Sequence, residues 1–538
     1  MSSYKHFKLT DITSNRYIPK LISDYLNNKE NLNNLYSHTL QIESFKDIIK
    51  NINFNFDKRS VLVKVLKEQS KDSNTSKQTF DNIDSLAQGN TYCVTTGHQP
   101  SIFLGPAYFL YKIIHTIKLC AELANKFTDT NFVPIFWMAT EDHDFEEISS
   151  INLFKKKISW DPGEIKEAAV GRLKLTNIDT CKESIANTLY RELANNPITK
   201  EVLDCYTNDK TLAQATREAL NILFGKHGLV ILDGDNKDLK RLFAPVIKDD
   251  IFNNKAFNIV KNISSEINNC GYKAQIYPQH INVFYLNKEY RKYIIEHKNG
   301  YSVTDLNIHL SKSEITNLID TQPELFSPNV VLRPLYQETI LPNLAYIGGG
   351  NEIAYWLQLK DMFSAYKTTF PMLIVRNSVS IINDAAYKHL EELNLNILDF
   401  INGSNEIASL FTKRYFAKEL SLEHETEAIN KLFDSLIVKY VLNKSDINIE
   451  KNINAQRTKA LKLINKISDK LIKHSKHTIS NNLNQIERLK QAILPGNTLQ
   501  ERYMSSLFIL STYNNIITEL YNDFSPITPN HYLIKRNT

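Results

Sequence analysis

The sequence predicts an α/β fold: a parallel sheet of about five strands wound with helices, followed by a long α-helical segment that folds back as a hairpin. Three observations carry this reading. Short β-prone runs alternate with amphipathic stretches up to about residue 380, and strand signals then stop. From His389 to Leu494 the chain is nearly free of Gly and Pro and rich in Lys, Glu, Leu and Ile. Glycine is scarce, 15 in 538 residues, so its clusters mark places where backbone turns sharply or is approached closely.

In order, residues 1–90 read as a helical, polar lead-in whose periodicity is broken by Asn stretches such as Tyr25-Leu26-Asn27-Asn28. Tyr92-Cys93-Val94-Thr95-Thr96 is a short strand ending at Gly97, and a turn-rich segment runs to Pro106. Leu110, Ile113, Ile114, Ile117, Ala121 and Ala124 recur at the spacing of one helical face. The apolar run from Phe132 to Met138 is a second, buried strand. Strand, loop, helix and strand in about 50 residues make a βαβ unit with a right-handed crossover. The alternation continues through Leu229–Leu232, which leads into Asp233-Gly234-Asp235, then Ile281–Tyr285, Val330–Leu332 and Met372–Val375. The stretch from about 154 to 220 shows helical patterns and no strand, and reads as an insert.

Ala460, Ile464, Ile467 and Leu471 keep heptad spacing, which Ile479, Leu483 and Ile486 resume in another phase. So narrow a stripe needs a packed partner, and a second copy of the chain is the expected one, giving a homodimer. Pro495-Gly496 ends the hairpin, and the apolar helix around Ser505–Leu510 returns to the core. The expected division is 1–385 for the core, 386–494 for the coiled coil and 495–538 for the returning helix.

Composition narrows the function classes. The 42% hydrophobic and 23% charged fractions are those of a folded, soluble chain, against disorder or a fibre. A net charge of +5 is too small for a general nucleic-acid or anionic-membrane binder. No apolar run reaches the about 18 residues of a membrane span, and the start MSSYKHFKLTDITSNRY lacks a secretory core. Cys93, Cys120, Cys181, Cys205 and Cys270 contain no CxxC, which argues against a disulfide framework and a cysteine-rich zinc site. A cytoplasmic protein is expected, with Cys93 and Cys120 as core residues.

Three segments concentrate chemistry. The first is Thr95-Thr96-Gly97-His98-Gln99-Pro100, with Gly105-Pro106 at the next helix. A parallel strand that turns sharply into a helix presents N–H groups and a positive dipole end, a place for phosphate or carboxylate. The same residues also fit an ordinary βα loop with Pro in the first helical turn. Neither GxxxxGK[ST] nor the spacing of GxGxxG occurs here. The second is Ala139–Glu147, where five acids and one histidine crowd into seven residues. They repel one another, so cations, a metal or substrate amines hold some of them, or their pKa values rise. Asp142 or His143 suits a general base or amine anchor. A helix N-terminus that welcomes carboxylates accounts for the same residues without a ligand.

The third comprises Asn329–Pro334 and Tyr346–Trp356. Gly348, Gly349 and Gly350 are consecutive before a helix whose expected cap is Asn351, and they suit an anion. Arg333, read at the end of an apolar strand, and Arg376-Asn377, at the end of the last one, need partners. Either a ligand's phosphate or carboxylate or an internal acid such as Glu352 serves. The Ser-Lys-Ser within His309–Glu314 is similar to a class I aminoacyl-tRNA synthetase signature, yet Ser311 with Glu314 is a capping box that needs no ligand.

At these motifs the sequence resembles the cysteine ligase family of bacillithiol biosynthesis, also called BshC. TGHQPSIFLGPAYFLYK, PIFWMATEDHDFEEI, SPNVVLRPLYQETILP with YIGGGNEIAYWLQL, and LPGNTLQER occur in order along the chain. Many members carry Gln where this chain has His98, which argues against His98 as an obligatory catalytic group. The resemblance implies a Rossmann-like core with inserted connecting segments, a coiled-coil domain that makes a homodimer, and nucleotide binding in the core. It also implies a reaction joining cysteine to the amine of glucosaminyl-malate. Amide formation from a free carboxylate in water requires activation, so ATP is expected, with ADP or AMP as product and any metal requirement left open.

On this reading Thr96, Gly97, His98, Gln99, Gly105, Pro106, Lys112, Gly348, Gly349 and Gly350 hold the nucleotide. Asp142, His143 and Asp144 hold an ammonium group and take its proton. Glu141, Arg333, Glu352, Tyr355, Trp356, Arg376 and Asn377 bind substrate. A nucleotidyltransferase, a metal-dependent hydrolase built on Asp142, His143 and Asp144, or a non-catalytic nucleotide-binding dimeric scaffold fits the same core.

Overall fold

A computed structural model describes residues 4–13, 16–71, 73–163, 167–403, 406–416, 422–440, 447–478 and 480–536. The chain forms two compact units, leaving the first at Ile381 and rejoining it at Thr498–Ile534, with Ile382–Asn497 in the second.

At the centre of the first unit lie five parallel strands: β1 (Thr91–His98), β2 (Asn131–Met138), β3 (Val230–Asp233), β4 (Asn343–Gly348) and β5 (Met372–Val375). Their spatial order is β5-β4-β1-β2-β3, so the winding reverses between β1 and β4. β1 pairs with β2 from Thr91↔Asn131 to His98↔Met138, and with β4 from Val94↔Ala345 to Thr96↔Ile347. Helices cover both faces, which is why β2 is buried continuously from Phe132 to Met138 instead of alternating. The crossover helix α1 (Tyr108–Lys126) buries Leu110, Ile113, Ile114 and Ile117, but it is buried nearly all round and Ala124 is exposed.

Two runs read as core strands are placed elsewhere. Val283–Leu286 belongs to a separate five-stranded antiparallel sheet, ordered Ile308–Leu310, Gly300–Val303, Arg291–His297, Val283–Leu286 and Phe326–Pro328. Val330–Leu332 is a turn, because the Asn329 side chain accepts from Val331 N at 2.9 Å and helix α3 (Arg333–Ile340) starts at once, with Pro334 in its first turn. Arg333 is therefore a helix start and not a strand end. The remaining core strand is β4, whose Asn, Ala and Gly give it weak β propensity. Asn351 does not cap the helix that follows: Gly349 precedes α4 (Gly350–Leu357).

The insert also contains a strand, Lys156–Ser159, hairpinned with Ser150–Leu153 before four helices. Ser311 caps α2 (Lys312–Thr321) as its spacing predicts, with Ser311 N donating to Glu314 Oε2 at 2.7 Å and Glu314 N to Ser311 Oγ at 3.3 Å. Ser506–Thr512 returns to the core as a buried helix, and the chain then adds a strand, Asn530–Arg536, that pairs antiparallel with Tyr4–Lys8 in the lead-in.

The second unit is helical. Glu423–Tyr440 packs along Ile447–Thr478, joined by Arg457 to Asn430 and Asp434. Ala460 and Ile464 are half-buried, whereas Ile467 and Leu471 are 49% and 37% exposed; Ile479 lies outside the described residues. Among the described residues no helix is long and apolar enough to cross a membrane.

Candidate active site

Where the winding reverses, the carboxyl ends of β1 and β4 part and a cavity of about 570 Å³ opens. Gly97 and His98 from β1, Gln99 just after it, Trp137 from β2, and Lys112, Arg333, Glu352 and Arg376 line one side. Tyr277, Phe284, Arg291 and Tyr293, on and beside the antiparallel sheet, line the other.

Lys112 and Glu352 bridge the parted strands. Lys112 Nζ, on α1 and 2% exposed, lies 2.7 Å from Gly97 O and 2.6 Å from Glu352 Oε2. Glu352 Oε2 also accepts from Gly349 N at 2.7 Å, and Oε1 from the Tyr346 hydroxyl at 3.1 Å. The start of α4 thus faces a carboxylate of its own. Burial pushes the Glu352 carboxyl up, but Lys112 and the Gly349 N–H outweigh it and hold it at about 2. His98 is committed at both nitrogens, to Gln99 O at 2.8 Å and the Tyr108 hydroxyl at 2.9 Å. Burial and Lys112 press it down to about 4, so it is neutral.

The arginines supply unspent donors. Arg333 sits 5.8–5.9 Å from the rings of Trp137, Tyr346 and Trp356; its Nη1 donates to Gln337, and its Nη2 is buried without a partner. Arg376 donates through Nη2 to Glu501 Oε1 at 2.6 Å and through Nη1 to Asn377 O, leaving a buried Nε without a partner. Glu501 is fixed by Ser378 Oγ at 2.8 Å and Val379 N at 3.1 Å. Among the described residues these two guanidinium nitrogens have no partner, and arginines with unspent N–H donors in the lining of one cavity suit an anion.

The acidic loop is organised by cations and amides. Asp142 Oδ2 accepts from Gln99 Nε2 at 2.5 Å, and its Oδ1 lies 2.8 Å from His143 N and 3.8 Å from Arg291 Nη1. Burial pushes its carboxyl up, but His143, Arg291 and Gln99 outweigh that and hold it well below the usual range. Arg291 also stands 4.1 Å over Phe284 and 3.1 Å from His143 Nδ1. The same His143 Nδ1 lies 3.5 Å from Asp142 Oδ1, so Arg291, His143 and Asp142 form one cluster. Asp144 turns outward to cap Phe145–Ile148. Glu141 pairs with the buried Lys240 at 2.7 Å, which also holds Asp235 at 3.0 Å.

Of the residues the sequence assigns to a site, Gly97, His98, Gln99, Lys112, Glu141, Asp142, Arg333, Gly349, Glu352, Tyr355 and Arg376 line this one cavity. Others are placed away from its lining. Thr96 Oγ1 donates to Ile347 O within the sheet. Gly105 and Pro106 pack against Ser505 and Ser506, because a 3₁₀ turn at Ile102–Leu104 intervenes before α1. Gly348 and Gly350 flank the lining residue Gly349, and Trp356 stacks in the core on Tyr346. Asn377 ties Ser525 O and Asn530 N, and His143 and Asp144 stand beside the cavity. Sequence reasoning missed Tyr108, Arg291, Tyr293 and Arg502, and it placed Glu147 in the acidic segment without giving it a role. Arg291 has no local signal in a polar ribbon strand, whereas Arg502 lies inside the LPGNTLQER motif already singled out.

One backbone approach makes a prediction. A Cβ at Gly234 would stand 2.6 Å from Trp137 Cζ2, so Gly234→Ala displaces the indole that lines the cavity. The expected cost is about 1–3 kcal/mol, read as a lower urea midpoint together with a changed near-UV tryptophan spectrum.

Comparison with known proteins follows this architecture. The family model for the Bacillithiol biosynthesis BshC N-terminal Rossmann-like domain matches residues 7–377, and that for the BshC C-terminal coiled-coil domain matches residues 379–536. The chain belongs to the BshC family. Curated relatives named "Putative cysteine ligase BshC" span its length. That of Flavobacterium psychrophilum is 40% identical over 96% of this chain and 97% of its own. The BshC of Cytophaga hutchinsonii is 33% identical over 98% and 99%, and that of Salinibacter ruber 28% over 85% of each. In BshC terms, the parallel sheet lies within the Rossmann-like domain, and the coiled-coil domain takes in both the helical stretch Ile382–Asn497 and the returning segment Thr498–Ile534. Among the described residues of this BshC chain, no three His, Cys, Asp or Glu side chains are grouped to hold a metal ion.

Proposed function

We propose that this chain forms the amide bond between the carboxyl group of cysteine and the amine of glucosaminyl-malate, with ATP activating the carboxyl. The observation that carries this is one cavity with unspent arginine donors, Arg333 Nη2 and Arg376 Nε, on one side and the ionised Asp142 on another. Arginines offset negative charge on phosphoryl and carboxylate oxygens as it develops. Asp142, held ionised, suits an ammonium, here that of cysteine; so acidic a carboxyl is a weak base and serves as an anchor. Lys112 and Glu352 hold the parted strands at a fixed separation and keep the start of α4 in place.

The test is mass spectrometry of a reaction of the protein with cysteine, glucosaminyl-malate and ATP. Bacillithiol with AMP indicates an adenylate, and with ADP an acyl phosphate. No bacillithiol from folded protein overturns the reading. Arg333→Met is expected to lower kcat/KM by about 10²-fold or more with little change in the unfolding midpoint, since among the described residues Arg333 has no ion-pair partner to strand.

The proposal includes a cytoplasmic homodimer. Leu432, Leu463 and Ile467 are 58%, 60% and 49% exposed on the helical unit, an apolar surface that a second copy would cover. Sedimentation showing a monomer at micromolar concentration would overturn the dimer.

A further inference from the structure

This inference rests on the ligase reading above. Four carboxylates line the cavity, and three are committed: Glu141 to Lys240, Asp142 to Gln99 and Arg291, and Glu352 to Lys112. The fourth, Glu147, is in no ion pair among the described residues. The groups facing it are Asp144 on its own turn, Asp142 and Gln99 from the loops, Glu352 across the cavity and Tyr108 from α1; Arg376 and Arg502 line the same space. Burial and the neighbouring acids push its carboxyl above the usual range. The other two candidates are spent: Asp142 is held strongly acidic, and His143 Nδ1 stands 3.1 Å from Arg291 Nη1, outside the cavity lining.

We propose that Glu147 is the proton acceptor of the coupling step. The glucosamine ammonium first loses one proton to solvent. The nitrogen lone pair then forms the C–N bond at the activated cysteine carboxyl, and the second nitrogen proton passes to the Glu147 carboxylate. The C–O bond to the phosphoryl leaving group breaks, and that group departs with the electron pair. Glu147 stands at the cavity rim and returns its proton to water.

The test compares kcat/KM between about pH 5 and 9 for the full-length wild type, Glu147→Gln, Glu147→Asp and Asp142→Asn. Glu147→Gln is expected to lose about 10²–10⁴-fold in kcat/KM, with KM values little changed and with the Glu147 limb gone, so that the acid side keeps only the limb set by the substrate's own ammonium. Glu147→Asp keeps the Glu147 limb at an intermediate rate. Asp142→Asn raises KM for cysteine and also keeps that limb. Glu147→Gln within about threefold of wild type, with its acid side unchanged, overturns the assignment alone. A wild type that makes no bacillithiol overturns the ligase reading and the assignment with it.

Discussion

Replacing Lys112 with methionine is expected to cost about 3 kcal/mol of stability and about 10² or more in kcat/KM. Methionine fills the alkyl volume but leaves Glu352 without its cation in a site where Lys112 is 2% and Glu352 28% exposed. Water reaching Glu352 places the loss at the low end for a broken buried pair. The loss depends on pH in a defined direction. The folded carboxyl is held at about 2 against an ordinary 4.5. Its contribution is therefore present above about pH 4.5 and fades as pH falls through about 2. The gap between wild type and Lys112→Met should be widest at neutral pH and narrow in acid. Urea unfolding at several pH values checks this; a gap that stays constant into acid would assign the loss to packing of the lysine stem.

Glu501→Gln is expected to cost about 3–5 kcal/mol, because it leaves the Arg376 guanidinium with no counter-charge in a pair whose side chains are 6% and 2% exposed. Activity falls as well, since Arg376 is released from its place in the cavity lining. Replacing both partners with apolar side chains, Arg376→Met with Glu501→Leu, removes both stranded charges. The double variant should regain part of the lost stability, the Val379 N–H and the Ser378 hydroxyl having lost their acceptor, and none of the lost activity. Parallel unfolding curves and product assays separate the two contributions, and recovery of turnover in the double variant would remove Arg376 from the site.

Much of this architecture was legible because burial on both faces writes an unbroken apolar run. β2, β3 and β5 each show one, while β1 shows only Tyr92–Val94 before its threonines. β4 does not show one, since its six residues include Asn, Ala and Gly and their stability comes from pairing with β1 and β5. Val330-Val331 misled in the opposite sense, because the Asn329 side chain decides that backbone through a turn. In the site, clustered glycines and clustered acids marked the β1, β2 and β4 loops, but not which charge meets which. The glycine triplet suggested an open anion site, yet Glu352, three residues on, already takes the Gly349 N–H. Arg291 reaches His143 from 148 residues away, a pairing that no local pattern encodes.

Arg376 and Glu501 are 125 residues apart. During synthesis the guanidinium leaves the ribosome long before the carboxylate, and all of Ile382–Asn497 is made in between. Until then, closing the first unit would bury an uncompensated cation. Maturation of the cavity is thus a late event in translation, gated by a segment outside the N-terminal domain: nascent chains should resist protease around Arg376 only after Thr498–Ile534 has emerged.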